Sequence, residues 1–434
     1  MKRGKPGRVL VIGDDMRIFL AVVRSFGRAG KEVHAAPFNW HSPALMSRYI
    51  TRVHHLPRYS DDPSEWRAKV TGLFRKYSFD LVVPCCDRAI IPFHIHRPDF
   101  ARYPIAFPHA EAVDLLFDKV RTRELCLELG IAIANGVCLK GTDTAQELAD
   151  CFGLPLVLKP RQSYAADNLD RWGKVWIVES QSELAELLGG LKEPSHYLVE
   201  SHFEGVGIGV SVVADQGTVL QAFQHRRLRE GRGGSSSYRV SEAVHAELYS
   251  ACQKICTRTR LTGVCMFEFR FNPRNGRWIL LETNARFWGS MPLPLSLGVN
   301  FPNLLYELMV HGARHAPVHY AVGIRSRNLV LDGFNLVSSL GYLRWREAGG
   351  WLADLWDFLV QPVRWLTGRE RSDSFVMDDI RPGLRECALL LKNFGQKLRR
   401  DQNSMPQRRR GEAEASNSAP RPFDLRSPAL RAPR

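Results

Sequence analysis

No run of about eighteen apolar residues occurs anywhere in the sequence, and a helix needs that length to cross a bilayer, so no spanning segment is expected. The basic start MKRGKPGRVLVIGDD carries too short an apolar core for a signal peptide. The first apolar run, RVLVIG at 8–13, ends in Gly13 alone, and without a GxGxxG a nicotinamide-dinucleotide site is disfavoured. Nine cysteines, an odd number, match no disulfide framework. Cys252 and Cys256 lie one helical turn apart, yet no His/Cys pair follows at zinc-finger spacing. Reduced thiols in a cytoplasmic protein are the simpler expectation. Acids are scarce: 45 Asp and Glu stand against 60 Lys and Arg, a net charge of +15. From residue 392 onward there are eleven Lys and Arg against four acids, so almost half the excess lies in that tail. The body is only mildly basic, which disfavours nucleic acid as a partner. There is no internal repeat.

Hydrophobic residues make up 44% of the 434, ample for a core. Apolar runs alternate with helical patterns at the start: RVLVIG, then Phe19, Val22, Val23 and Phe26 at helix spacing, then KEVHAAP, then FDLVVP. That order predicts a parallel α/β unit over 1–110. A second unit is expected over 111–315. It opens with one helix over 111–129 that contains Asp118 and Lys119. The strands LPLVLKP, KVWIVES, HYLVESHF, GVSVVAD and VLQAFQH follow, and MFEFRF–NPRNG–RWILLETNA makes an antiparallel hairpin on Asn-Gly.

The hairpin carries the chemistry. Glu282, Asn284 and Arg286 recur at intervals of two, so they share one face. Across a turn centred on Asn275, Glu268 faces Glu282; a two-residue turn would set it across from Thr283. Either register brings two carboxylates together, and facing carboxylates repel unless a proton, a guanidinium or a divalent cation offsets them. Mg²⁺ takes one or two carboxylates plus substrate phosphates, so Glu268, Glu282, Asn284 and Arg286 form a candidate metal–phosphate platform. The competing expectation is a surface ion-pair lattice of Glu268 with Arg270 and Glu282 with Arg286. Lys119 in FDKVRT and Lys159 at the end of LVLKP are candidate phosphate contacts, each unspecific alone. Glu200 ends YLVESHF at a strand-to-linker hinge, which can offer adenine both backbone groups and an acceptor.

The colinear set FDK, LVLKP, YLVESHF-EG and EFRF–LETNAR resembles the ATP-grasp superfamily, and FWGS with GVNFPNLLYEL resembles carbamoyl-phosphate synthase large-subunit-like proteins. The resemblance covers roughly residues 8–315. It implies an α/β (α+β) ATP-grasp fold preceded by a Rossmann-like parallel α/β domain, and a two-step ligation. A carboxylate would be activated by ATP as an acyl phosphate, then attacked by an amine or similar nucleophile. By resemblance, Glu268, Glu282 and Asn284 would hold Mg²⁺, with Mn²⁺ as an alternative. Lys119 and Lys159 would contact phosphates, and Glu200, Ser201 and Phe203 would form the adenine hinge. Arg286 would hold the transferred group, and one of His225, Arg226 and Arg227 would line the acceptor side. Two positions depart from the pattern. Gly207 stands where an acid for the ribose is common, and PRQSYAADNLDRWGK offers the phosphate flap only Gly173, with Arg161, Gln162 and Ser163 as substitutes. EGRGGSSSYR (230–239) is either a backbone anion cradle or a flexible tip. A non-catalytic nucleotide-binding regulator remains the rival function. A homodimer is compatible with this reading.

Beyond 315 a helical extension (316–395) and a basic, disordered tail (396–434) are expected. In WLADLWDFLVQPVRWL, Leu352, Leu355, Trp356, Leu359, Val363 and Leu366 form one helical stripe, kinked at Pro362. Docking of this stripe on the body is preferred to an interfacial membrane helix, because Asp354 and Asp357 would face anionic lipid poorly.

Overall fold

The computed structural model describes residues 6–165, 168–230, 236–340 and 348–403. The chain divides into one unit of Met1–Cys387 and a second of Ala388–Arg434. The first begins with β1 (Arg8–Ile12), α1 (Ile18–Arg28), β2 (Glu32–Ala36), β3 (Ile50–Val53), α2 (Pro63–Tyr77), β4 (Leu81–Pro84), α3 (Asp87–Ile95) and α4 (Arg97–Phe100). The strands form a wholly parallel sheet in the order β3-β2-β1-β4. Helices cover both faces, which is why β1 and β4 read as unbroken apolar runs. These two neighbours end on Gly13-Asp14-Asp15 and Cys85-Cys86-Asp87, at the carboxyl edge where open α/β sheets receive ligands.

The helix expected over 111–129 is two, α5 (Ala110–Leu116) and α6 (Lys119–Glu128). Asp118 breaks the run. Its carboxylate accepts from the N–H groups of Val120 (2.9 Å) and Arg121 (3.2 Å), a cap worth about 1 kcal/mol. Lys119 therefore opens a helix instead of sitting within one.

A smaller antiparallel sheet follows. Its elements are β5 (Gly136–Cys138), α7 (Ala145–Phe152), β6 (Leu156–Pro160), the β7 (Tyr164–Ala165) and β8 (Asn168–Trp172) ribbon, β9 (Trp176–Val178), α8 (Gln181–Gly189) and β10 (Tyr197–Ser201). Its order is β5-β10-β6-β9, with Leu148 of α7 and Leu184 of α8 in its core.

The large sheet is built from β11 (Val206–Asp215), β12 (Thr218–Glu230), β13 (Ser236–Glu242), α9 (Ala246–Arg258), β14 (Gly263–Phe271) and β15 (Trp278–Asn284). After α10 (Pro292–Ser296) and α11 (Phe301–His311) the chain adds β16 (Arg325–Arg327), α12 (Leu329–Leu340), α13 (Ala348–Leu359), α14 (Gln361–Leu366), β17 (Glu370–Ser372) and α15 (Arg381–Asn403). Seven strands result, ordered β15-β14-β11-β12-β13-β16-β17. Strand alternation sends Phe267 and Phe269 into a core with Leu116 and Ile255, while Met266 and Phe223 on the opposite face join Trp288 and the N-terminal helix α1.

The extension departs from expectation in three ways. It is not purely helical, since β16 and β17 lengthen the large sheet. The helix α15 runs on to Asn403, past the expected boundary at 395, and residues 404–434 lie outside the described residues. Most informatively, most of the apolar stripe of α13 and α14 is not docked: Leu352, Trp356, Leu359, Val363 and Leu366 are exposed, and only Leu355 of the six is half-buried. The helices dock by their acids instead. Arg327, fully buried in β16, binds Asp357 (2.7 Å), Asp332 (2.6 Å) and Glu370 (2.8 Å), and Arg229 binds Asp354 (2.7 Å). An uncompensated buried guanidinium costs about 3–5 kcal/mol, so Arg327 needs the carboxylates that α12 and α13 bring to it. The break between α13 and α14 falls at Val360, with Pro362 in the first turn of α14, where its missing N–H costs nothing.

Candidate active site

The hairpin register sets Met266 opposite Asn284 and Glu268 opposite Glu282, with a bulge just beyond that re-aims the strand. The alternative register, with Glu268 across from Thr283, does not occur. The lattice expected as a competitor does not form either: Arg270 binds Glu230 (2.7 Å) and Arg286 binds Asp87 (3.0 Å). Asn284 donates from Nδ2 to Glu268 Oε1 (3.3 Å) and to Glu282 Oε1 (3.2 Å). The second oxygen of Glu268 pairs with Arg227, and that of Glu282 lies 4.0 Å from Lys119 Nζ. Burial raises the Glu268 carboxyl, and Arg227 only partly opposes it while Glu282 adds to the rise. Burial also acts on Glu282, but Lys119 and Lys159, with Asn284 and Arg286, outweigh it and hold that carboxyl below its ordinary range. The two acids therefore shift in opposite directions from the ordinary carboxylate range.

Row neighbours explain the rest of this face. Glu268 pairs laterally with Gly209, and Gly209 with His225. A Cβ on Gly209 would sit 2.2 Å from the His225 ring, so only glycine lets the imidazole lie across β11. His225 is 1% exposed, and burial holds it neutral, with Arg227 and Arg239 adding to the effect. Its Nδ1 has no hydrogen-bond partner. A Cβ on Gly207 would meet the side-chain ends of Glu230 and Arg227, so a larger residue there requires those two side chains to shift. Of the three residues left open between 225 and 227, His225 and Arg227 share the face of Glu268, while Arg226 turns away to Glu242 (2.5 Å).

Lys159 and Glu200 are direct partners. Lys159 Nζ donates to Glu200 Oε2 (2.5 Å) and to the Leu281 carbonyl (3.3 Å), tying the small sheet to the strand that carries Glu282. The other Glu200 oxygen takes Arg123 Nη1 at 2.7 Å. Arg123 also donates to the carbonyls of Ala134 (2.8 Å) and Gly136 (3.1 Å). Ser201 donates its N–H to Asn135 O (2.8 Å), and Phe203 lies half-buried on the segment joining β10 to β11. Lys119 donates to Ser163 Oγ (3.2 Å), and its ammonium pKa is lowered, by burial first, with Lys159 adding to it against Glu282. Arg161 turns to Asp118 (2.5 Å), so of the three flap substitutes only Ser163 reaches toward the lysines. Residues 231–235 of the Gly/Ser loop, and with them the anion-cradle expectation, lie outside the described residues.

Three residues of this cluster escaped sequence reasoning: Arg123, Asp87 and the capping role of Asp118. Arg123 follows Lys119 by four on the same helix, a spacing that puts both on one face. Asp87 follows an apolar strand at a strand-to-helix junction, as Asp14 does; burial lowers the Arg286 guanidinium most, but Asp87, Cys86 and Glu282 together outweigh it and raise it above its ordinary value.

Residues 193–330 match the family model described as ATP-grasp in the biosynthetic pathway with Ter operon. Over that stretch the chain is similar to ATP-grasp proteins. It is 24% identical over 322 residues to a D-aspartate ligase of Enterococcus faecium, covering 69% of this chain and 75% of that protein. It is 24% identical over 191 residues to the arginine-specific carbamoyl phosphate synthase large chain of Bacillus subtilis, covering 42% of this chain but only 18% of that one. In fold it is similar to an L-amino acid ligase from Bacillus licheniformis, with a TM-score of 0.54, 18% identity, and 71% and 75% of the two chains covered. The fold is thus mixed α/β, with a parallel sheet in its N-terminal region and a mainly helical C-terminal part. Among the described residues no helix is long and apolar enough to cross a membrane.

Proposed function

We propose that this protein is an ATP- and Mg²⁺-dependent carboxylate–amine ligase. The carrying observation is the Glu268–Glu282 pair of one hairpin, bridged by Asn284 and ringed by Lys119, Lys159, Arg227 and Arg286. The ring of cations and its carboxylates nearly balance in charge. A triphosphate entering it needs a further cation, and the donor set suits one: two carboxylates and an amide that presents oxygen once turned over. Mg²⁺, or Mn²⁺ in its place, would be held by Glu268, Glu282 and Asn284, and when bound it supplies charge neutralisation for the phosphates.

The chain's own groups do the positioning. Arg286, braced by Asp87, offers a fixed fork to the transferred phosphoryl group and to the substrate carboxylate. Lys119 and Lys159 bring positive charge to the phosphates, with Lys159 shared with Glu200. Glu200, Ser201 and Phe203 line the hinge that would take adenine. Arg227 and the neutral His225 back Glu268 from the acceptor side. Phosphoryl transfer needs mostly alignment and charge compensation, and this set supplies both. The names of the relatives support an amino acid as one substrate, and a small amine or similar nucleophile as the other. Nine free cysteines suit a reducing, cytoplasmic setting, and a homodimer is the assembly to check by light scattering.

Engagement of both Glu200 oxygens by Lys159 and Arg123 favours the rival reading, a regulator that binds nucleotide without turnover. Measuring ADP release with Mg²⁺ across pairs of amino acids and amines separates the two. Release that needs both a carboxylate and an amine supports the ligase. Nucleotide binding with no release for any pair would leave the regulator.

A further inference from the structure

We propose that the outer face of α13 and α14 is a docking surface for an anionic lipid bilayer, on which the protein lies without crossing it. Leu352, Trp356, Leu359, Val363 and Leu366 recur along these helices at intervals of three and four, and each is 58–77% exposed; Trp365 beside them is 40% exposed. The partly buried side of the same helices carries Leu355 and Phe358 together with Asp357, and Asp354 sits exposed at its flank. Asp354 and Asp357 are bound by Arg229 and Arg327 of the sheet, and Arg364 also pairs with Asp357. The fold thus leaves five large apolar side chains outward while arginines of the protein hold both acids, which is not how a helix buries its apolar stripe on its own protein.

Charge selects the occupant. The two acids that would repel anionic lipid are already neutralised by arginines. The chain carries +15 overall, and eleven Lys and Arg against four acids lie from residue 392 onward. A second copy of so basic a chain meets like charge with like charge, whereas an anionic leaflet attracts it. The stripe contains Trp356, three leucines and a valine, with Trp365 beside it, the composition of helices that lie in the headgroup boundary. No described helix is long and apolar enough to go further in.

The test is co-sedimentation of the full chain with phosphatidylcholine vesicles, with and without about a third phosphatidylserine. The wild-type chain is expected to sediment with the anionic vesicles. Trp356→Glu/Leu359→Glu, whose unchanged melting curve shows it folded, is expected to bind at least about tenfold more weakly. If the double variant melts early, Trp356→Ser carries the comparison. Three results would overturn the proposal. One is a wild-type chain that stays in the supernatant with every vesicle, which leaves the stripe to a protein partner. Another is equal binding of wild type and variant, wholly released by salt, which assigns it to the basic tail. The last is a wild-type mass by light scattering twice that of the variant, which makes the stripe a seam between copies.

Discussion

Glu268 and Glu282 face each other across β14 and β15, and a single amide, Asn284 Nδ2, donates to both. The arrangement leaves two buried carboxylates with opposite tendencies. Glu282→Gln removes the charge of the member whose pKa is lowered. Turnover of ATP should fall about 100-fold or more, as when a charge-stabilising group is lost from an active site, while the melting temperature moves by only a few degrees. A steady-state ADP assay beside a thermal melt reads both; near-normal turnover would remove this pair from the chemistry.

Arg123→Met should act on nucleotide affinity. It frees one Glu200 oxygen and strips the carbonyls of Ala134 and Gly136 of a donor. The expected result is a KM for ATP raised about tenfold with a smaller change in kcat, together with a stability loss of about 1–3 kcal/mol.

Arg286→Lys keeps the charge and loses the fork. Asp87 and the Phe287 carbonyl would compete for one ammonium where the guanidinium serves both. We expect kcat to drop at least about tenfold with the fold intact, checked by kinetics and circular dichroism.

Arg327→Met leaves Asp332, Asp357 and Glu370 facing one another without their shared cation. Urea denaturation should show a loss of about 3–5 kcal/mol. A loss below a tenth of that would mean the carboxylates find other partners.

Asp14 gives a pH signature. Burial, with Asp15 beside it, pushes its pKa from 3.8 up to about 6, against the Asn39 N–H and Arg88. A carboxyl raised by folding contributes stability below its unfolded pKa and loses it as pH climbs through the folded one. Asp14→Asn removes that loss. Its melting temperature should exceed wild type above pH 6, with the gain shrinking to nothing below about 4.

Much of this was legible in the residues. Two-residue periodicity in MFEFRF and LLETNAR fixed which side chains share a face, and the Asn-Gly turn fixed their pairing to within one residue. The parallel sheet followed from unbroken apolar runs between helical patterns. What escaped were interactions between segments far apart in sequence. Nothing local says that Arg286 meets Asp87, or that Glu200 takes both Lys159 and Arg123. The stripe at 352–366 misled for the same reason. Its periodicity identified an apolar side correctly, but the direction it faces was set by Arg229 and Arg327, whose need for counter-ions is invisible in the helix itself.

The parallel pair β16 and β17 closes the edge of the seven-stranded sheet beyond β13. A fragment shortened to end before β16 would leave the outer edge of β13 unpaired, an open edge inviting other chains. It would also strand Arg239 without Asp373. The catalytic region and the segment after it are therefore not separable modules. Expression of the former alone should give precipitate, so the unit that evolution can transplant includes both.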